Sequence, residues 1–156
     1  MKKMFGLGLL LSGVVLATES TITYGIGLGQ LYNGVGVNIA LHDTSSMKSL
    51  ALGCMEIGYG SYSGLDASCG LSVAYVSTSI LSDKNNHHGL GIHLGIINDS
   101  DVDVVSGTIG LGYTYFLDEV SNNGWNFGFT PTFIFQENTD KKDNELALLL
   151  NLGYQF

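Results

Sequence analysis

Glu56, His93 and His42 are the residues of this chain best placed to move a proton. Each sits within a stretch otherwise free of charge, at positions that alternate with large apolar side chains, and Ser72 shares that phase. A carboxylate, an imidazole and a hydroxyl brought together could activate an oxygen nucleophile, as in a hydrolase. No His-x-Ser pair lies on one strand face, however, and the simpler reading is a buried carboxyl satisfied by Asn38, Ser72 or water. Asn38, Glu56 and His93 are therefore expected as polar residues of an interior, with no catalytic residue and no enzymatic activity.

Metal chemistry is weaker still. Asp99, Asp101 and Asp103 have the spacing that opens a calcium loop, but Val104 stands where that loop needs Gly and Gly110 where it needs Glu. A looser role remains, with acidic loops at 98–103 and 137–145 taking divalent cations. His87 and His88 are adjacent and point to opposite faces of an extended chain, so a shared metal is not expected, and no cofactor is. Two Cys cannot build a disulfide framework or a four-ligand zinc site. Strand parity puts Cys54 inward and Cys69 outward, and cross-strand partners must share a face. Free thiols are the expectation.

The elements that would position these groups are legible in the charges. The 156 residues carry 45% hydrophobic and only 13% charged side chains, no Arg, 22 Gly and 1 Pro, with a net charge of −8. Such a chain is one ordinary domain, too apolar for disorder and too acidic for nucleic acid. Downstream of Ser20 its charges gather at Asp43 and Lys48, Asp66, Asp83 and Lys84, Asp99 to Asp103, Asp118 and Glu119, and Glu137 to Glu145, and only Glu56 stands apart. Lys2 and Lys3 precede an apolar run from Met4 to Ala17, the layout of a secretory signal peptide. Cleavage is expected after Ala17, or after Ser20, so that residues 1–17 are removed and 18–156 form the mature domain. The mature chain then holds 4 Lys against 14 Asp and Glu, a charge of −10.

Between the charged clusters the pattern has period two, which reads as strand. Eight strands follow, with outward faces Ile22 to Leu28, Val35 to Leu41, Met55 to Tyr59, Cys69 to Tyr75, Leu90 to Ile96, Ile109 to Tyr115, Trp125 to Phe135 and Leu146 to Phe156. No helical segment remains to be placed. The alternate positions are Gly, Ser, Thr, Asn and Ala, an implausible set for a water-facing surface but a fitting one for the lining of a narrow eight-stranded barrel. The large apolar face then meets lipid, and closure is required because open edges cannot be satisfied in hydrocarbon. The fold expected is an all-β, eight-stranded antiparallel up-and-down transmembrane barrel. With the N-terminus periplasmic, Tyr24, Tyr75, Tyr113, Tyr115, Trp125, Phe127, Tyr154 and Phe156 form one aromatic girdle, and Tyr32, Tyr59, Phe133 and Phe135 a second.

The last strand ends at Phe156 with Tyr154, Leu152, Leu150 and Leu148 at alternate positions. With the eight-strand pattern, this resembles the small eight-stranded outer-membrane barrels of Gram-negative bacteria, of the OmpA/OmpX type. The resemblance implies that Leu150, Leu152, Tyr154 and Phe156 form the signal read by the barrel assembly machinery. It also implies an interior rich in charged networks, which a chain without Arg must replace by neutral hydrogen bonds or water. The function expected is an integral outer-membrane protein with a structural, envelope-maintenance or surface-contact role. It would be monomeric, in contact with outer-membrane lipid and lipopolysaccharide. The alternative is a narrow channel or hydrophobic small-molecule conduit; a lipid A-modifying enzyme comes third.

Overall fold

The structure, a computed structural model, describes residues 20–60, 64–81, 84–99, 104–136 and 144–156, with side chains at 56–60, 64–67, 99, 104 and 136 left aside. Eight strands, β1 Thr21–Leu28, β2 Val35–Asp43, β3 Ser46–Gly60, β4 Gly64–Ser77, β5 His88–Asp99, β6 Val104–Phe116, β7 Gly124–Gln136 and β8 Asn144–Gln155, pair in chain order. β8 closes on β1, so the sheet is an antiparallel up-and-down barrel.

Strand tilt follows from the register. Gln155 pairs with Gly25, and the row continues through Asn38, Ala51, Ser72, Gly95, Thr108 and Ile134 to Glu145. The circuit closes ten residues up β8 from its start, a shear that tilts the strands by about 40°. The period-two pattern resolves as the apolar face outward. Leu148 is 65% exposed, Ile92 42% and Phe129 46%, while Thr23, Asn38, Ser72, His93, Thr130 and Asn151 on the opposite phase are buried.

Four expectations are corrected. β3 begins at Ser46, so Lys48 is not a turn marker: β2 and β3 meet at the two-residue turn 44–45, and Lys48 stands exposed on the outer face between Leu41 and Tyr75. A long Lys stem can lie along apolar surface while its ammonium reaches the nearby barrel rim. Two short 3-10 turns, Gln30–Tyr32 and Ser79–Leu81, exist where no helical segment was expected. Tyr32 is wholly buried and belongs to no outer girdle.

The fourth correction concerns the thiols. Cys54 and Cys69 are register partners joined by a disulfide. A β-bulge falls between Cys54 and Glu56, so the parity read backwards from Met55, Ile57 and Tyr59 does not carry through it. Before the bulge the outward phase is Leu50, Leu52 and Cys54, the same phase as Leu71 and Cys69 on β4.

Candidate functional site

The site is the lumen, and the protein fills it with its own chain. β1 leaves the wall at Gly29 and β2 rejoins it at Gly34, with φ of 93° and 94° respectively. L side chains rarely adopt such values, and glycine permits them. A side chain at Gly29 would also meet the Leu150 carbonyl oxygen at 2.2 Å, and one at Gly34 the Cys54 carbonyl oxygen at 2.1 Å. Between these hinges, Gln30, Leu31, Tyr32 and Asn33 are each 0% exposed. They form a plug.

Hydrogen bonds tie the plug to most of the wall. Gln30 donates to Thr108 of β6 at 3.1 Å, and its carbonyl accepts from Ser72 of β4. The Leu31 amide donates to Asn151 of β8, and its carbonyl accepts from Asn38 of β2. Asn33 donates to the Gly53 carbonyl of β3. The Tyr32 hydroxyl lies 2.8 Å from Nδ2 and 3.1 Å from Oδ1 of Asn126 on β7, and accepts from Gln155 of β8. Asn151 and Gln155 extend the network to Thr130, Thr23 and Asn38. Every member of this network is neutral. Buried polar groups are costly when unpaired, and networks this connected specify one arrangement of the wall.

Below the plug a second seal is apolar. Met47, Val76, Phe116 and Val120 pack together at the end of the barrel where β1 begins. His42 joins the two layers, with Nε2 at 2.7 Å from the Thr23 hydroxyl and Nδ1 bonded to the Val120 carbonyl. Small neutral residues do not line the whole axis, since Met47, Val76 and Phe116 also hold inward positions. Sequence reading missed these because it took only the strand centres for the lining.

Among the described side chains, His42, Ser72, Asn38 and His93 share no hydrogen bond with one another. His42 is spent on Thr23 and Val120, Ser72 on Gln30, and Asn38 on Leu31 and Gln155. His93, 0% exposed, has no hydrogen-bond partner on either ring nitrogen. Glu56 pairs with Ser68 in the ladder, and its side chain lies outside the described residues, as do Asp101, Asp103 and the side chain of Asp99. Among the described residues no group of three His, Cys, Asp or Glu could hold a metal. His87 bonds the Phe116 carbonyl and His88 the Tyr113 hydroxyl, two separate partners.

The terminal strand presents Leu150, Leu152 and Phe156 outward, at 73%, 48% and 59% exposure. Tyr154 packs edge-on against both Trp125 and Phe156. Tyr113 meets Phe129, and Tyr115 meets Phe127. These contacts run along the end of the barrel where β1 begins and involve Tyr113, Tyr115, Trp125, Phe127, Tyr154 and Phe156 of the first aromatic set. Compared with protein-family models, with curated proteins and with solved structures, the chain matches none.

Proposed function

We propose that this protein is an integral outer-membrane barrel of the small OmpA/OmpX type, with a structural, envelope-maintenance or surface-contact role. The observation that carries the reading is the inversion of its faces. Among the described residues thirty-two large hydrophobic residues are exposed, whereas the inward positions around the plug hold a neutral hydrogen-bond network. A water-soluble barrel of this size would have the reverse arrangement, since contiguous apolar patches beyond a few hundred Å² are rare on soluble monomers. The aromatic ring around Trp125, Tyr154 and Tyr113 suits a membrane interface, where such rings concentrate. Among the described residues no helix is long and apolar enough to cross a membrane, so strands would make the crossing.

In this reading the signal segment 1–17 delivers the chain to the periplasm. The assembly machinery then recognises Leu150, Leu152, Tyr154 and Phe156, and the barrel sits as a monomer among phospholipid and lipopolysaccharide. The plug and the apolar seal beneath it favour a structural wall over an ion-conducting pore. The test is electrophoresis of boiled and unboiled samples together with carbonate washing of membranes. A heat-dependent shift and retention in the membrane are expected; no shift and release into the wash would overturn the reading.

A further inference from the structure

Grooves lie between the large apolar side chains of the outer face. The largest, about 840 Å³, runs over β4 to β7 between Ile80, Ile92, Leu111 and Phe129. Three others, of about 570, 410 and 320 Å³, lie over β1 to β5 and meet at Leu50. Volumes of this order are those of small-molecule sites. Three of these four grooves are lined without a charged side chain, so any hydrocarbon would suit them equally. The 410 Å³ groove differs. Lys48 stands in it with Ile22, Ile39, Leu41, Leu50 and Val73.

The position of Lys48 is that of a head-group contact. Its register partners are Leu41 and Tyr75, and Leu50 is the next outward residue above it on β3. Tyr75 is one of the first aromatic set, whose rings suit a membrane interface. Among the described residues Lys48 is the one lysine on the outward face of a strand, since Lys84 lies in the connection before β5. In the ladder the nearest acid is Asp43, two residues beyond Leu41 and paired with Ser46, and its buried Oδ1 has no hydrogen-bond partner. Asp118 and Glu119 follow β6, on the far side of the barrel. The groove itself therefore holds a cation and no acid. An ammonium beside hydrocarbon needs water or an anion at its head.

We infer that Lys48 and its groove hold one anionic phospholipid, with the phosphate against the ammonium and an acyl chain along Leu41, Ile39, Leu50 and Val73. A second chain has the grooves that open from Leu50 on either side. The inference rests on the membrane reading, which puts this face in lipid. A chain of net charge −8 repels anionic lipid in general, so the one cation on the apolar wall decides where such a lipid stays.

The probes are phosphatidylglycerol and phosphatidylcholine carrying a nitroxide near the end of one chain, added in turn to phosphatidylcholine vesicles that hold the refolded full chain. Insertion is checked beforehand by heat-shifted electrophoresis. Phosphatidylglycerol should enter the motionally restricted population about fivefold more strongly than phosphatidylcholine, the scale set by one Lys near an anionic head group. The excess should saturate at one lipid per barrel. Lys48→Gln should abolish that preference, whereas Lys48→Arg and Lys84→Gln should keep it. An inserted barrel with no preference, or a preference that Lys48→Gln leaves intact, overturns the site. A loss in Lys84→Gln as complete as in Lys48→Gln also overturns it, in favour of a diffuse effect of charge. Should Lys48→Gln fail to insert, phosphatidylglycerol bearing a diazirine on its chain replaces the variant. Cross-links concentrated on Ile39, Leu50 and Val73 support the site, and cross-links spread evenly around the barrel overturn it. Cross-linked dimers joined through β2 to β4, with no bound lipid, overturn it in favour of a contact between copies. A wild-type chain that never inserts overturns the membrane reading itself, which the electrophoresis reports separately.

Discussion

The ring of Tyr32 fills the space a side chain at Gly153 would need: a Cβ there would lie 2.2 Å from both Cζ and Oη of Tyr32. Gly27, the cross-strand partner of Gly153, leaves the neighbouring space, with Cε2 of the same ring 2.5 Å from where its Cβ would be. A slot made by two absent side chains at the β1–β8 seam receives the one aromatic ring of the plug. Closure of the barrel and closure of its lumen are thus one packing event.

Gly153→Ala should therefore be destabilising, by about 1–3 kcal/mol as for other overpacked interiors. The cost should shrink when Tyr32 is also replaced by Ala, because the clash has been removed. Urea unfolding of the four chains of that double-mutant cycle in vesicles gives the coupling, expected at about 1–3 kcal/mol. Simple additivity would show that ring and seam are independent.

Tyr32→Phe keeps the ring and removes the hydroxyl that Asn126 and Gln155 share. Leaving buried amide groups unpaired costs about 1–3 kcal/mol. A corresponding fall in unfolding free energy, with insertion unchanged, is the expected result, measured by the same urea titration.

The plug and the apolar layer beneath it should together block conductance. Wild-type protein in planar bilayers should give no resolved openings, since the plug and the Met47, Val76, Phe116, Val120 layer lie in series. Replacing residues 30–33 by a short Gly linker together with Val120→Gly should produce steady ion steps. Replacing the plug alone should leave the bilayer silent.

Oxidation state is checked by alkylation. Unfolded, unreduced protein should take up no thiol reagent, and reduced protein should take up two equivalents, at Cys54 and Cys69. Replacing both by Ser should destabilise the barrel by up to about 3 kcal/mol, the chain-entropy scale for a loop of this length. The cost should be smaller to the extent that the β3–β4 ladder already closes the same loop.

Much of this fold is legible in the residue order. Tyr24 alternating with Gly25 or Leu94 with Gly95 is enough to assign strands and, for most of them, the outward phase. What escapes sequence reading escapes for identifiable reasons. Lys48 looks like a turn residue because a charge on an apolar face is rare, and only the ladder between Leu41 and Tyr75 shows otherwise. The bulge after Cys54 leaves no mark in composition, yet it reverses the parity on which the thiol prediction rested. Tyr32 looks like a girdle residue because it lies between two strands. The signal for its burial was the pair Gly29 and Gly34 bracketing a segment rich in amide side chains. Met47, Phe116 and Val120 lie at strand ends or in a connection, where alternation is too short to assign a face.

The most direct test of the account asks what surrounds the apolar face. Single Cys residues carrying nitroxides at Ile92, Phe129 and Leu148 should be relaxed strongly by oxygen, which partitions into hydrocarbon, and weakly by a water-soluble nickel chelate. A label at Leu117, exposed in the connection beyond β6, should show a higher ratio of nickel to oxygen effect. Nickel-dominated relaxation at Ile92, Phe129 and Leu148 would place that face in water and contradict the account.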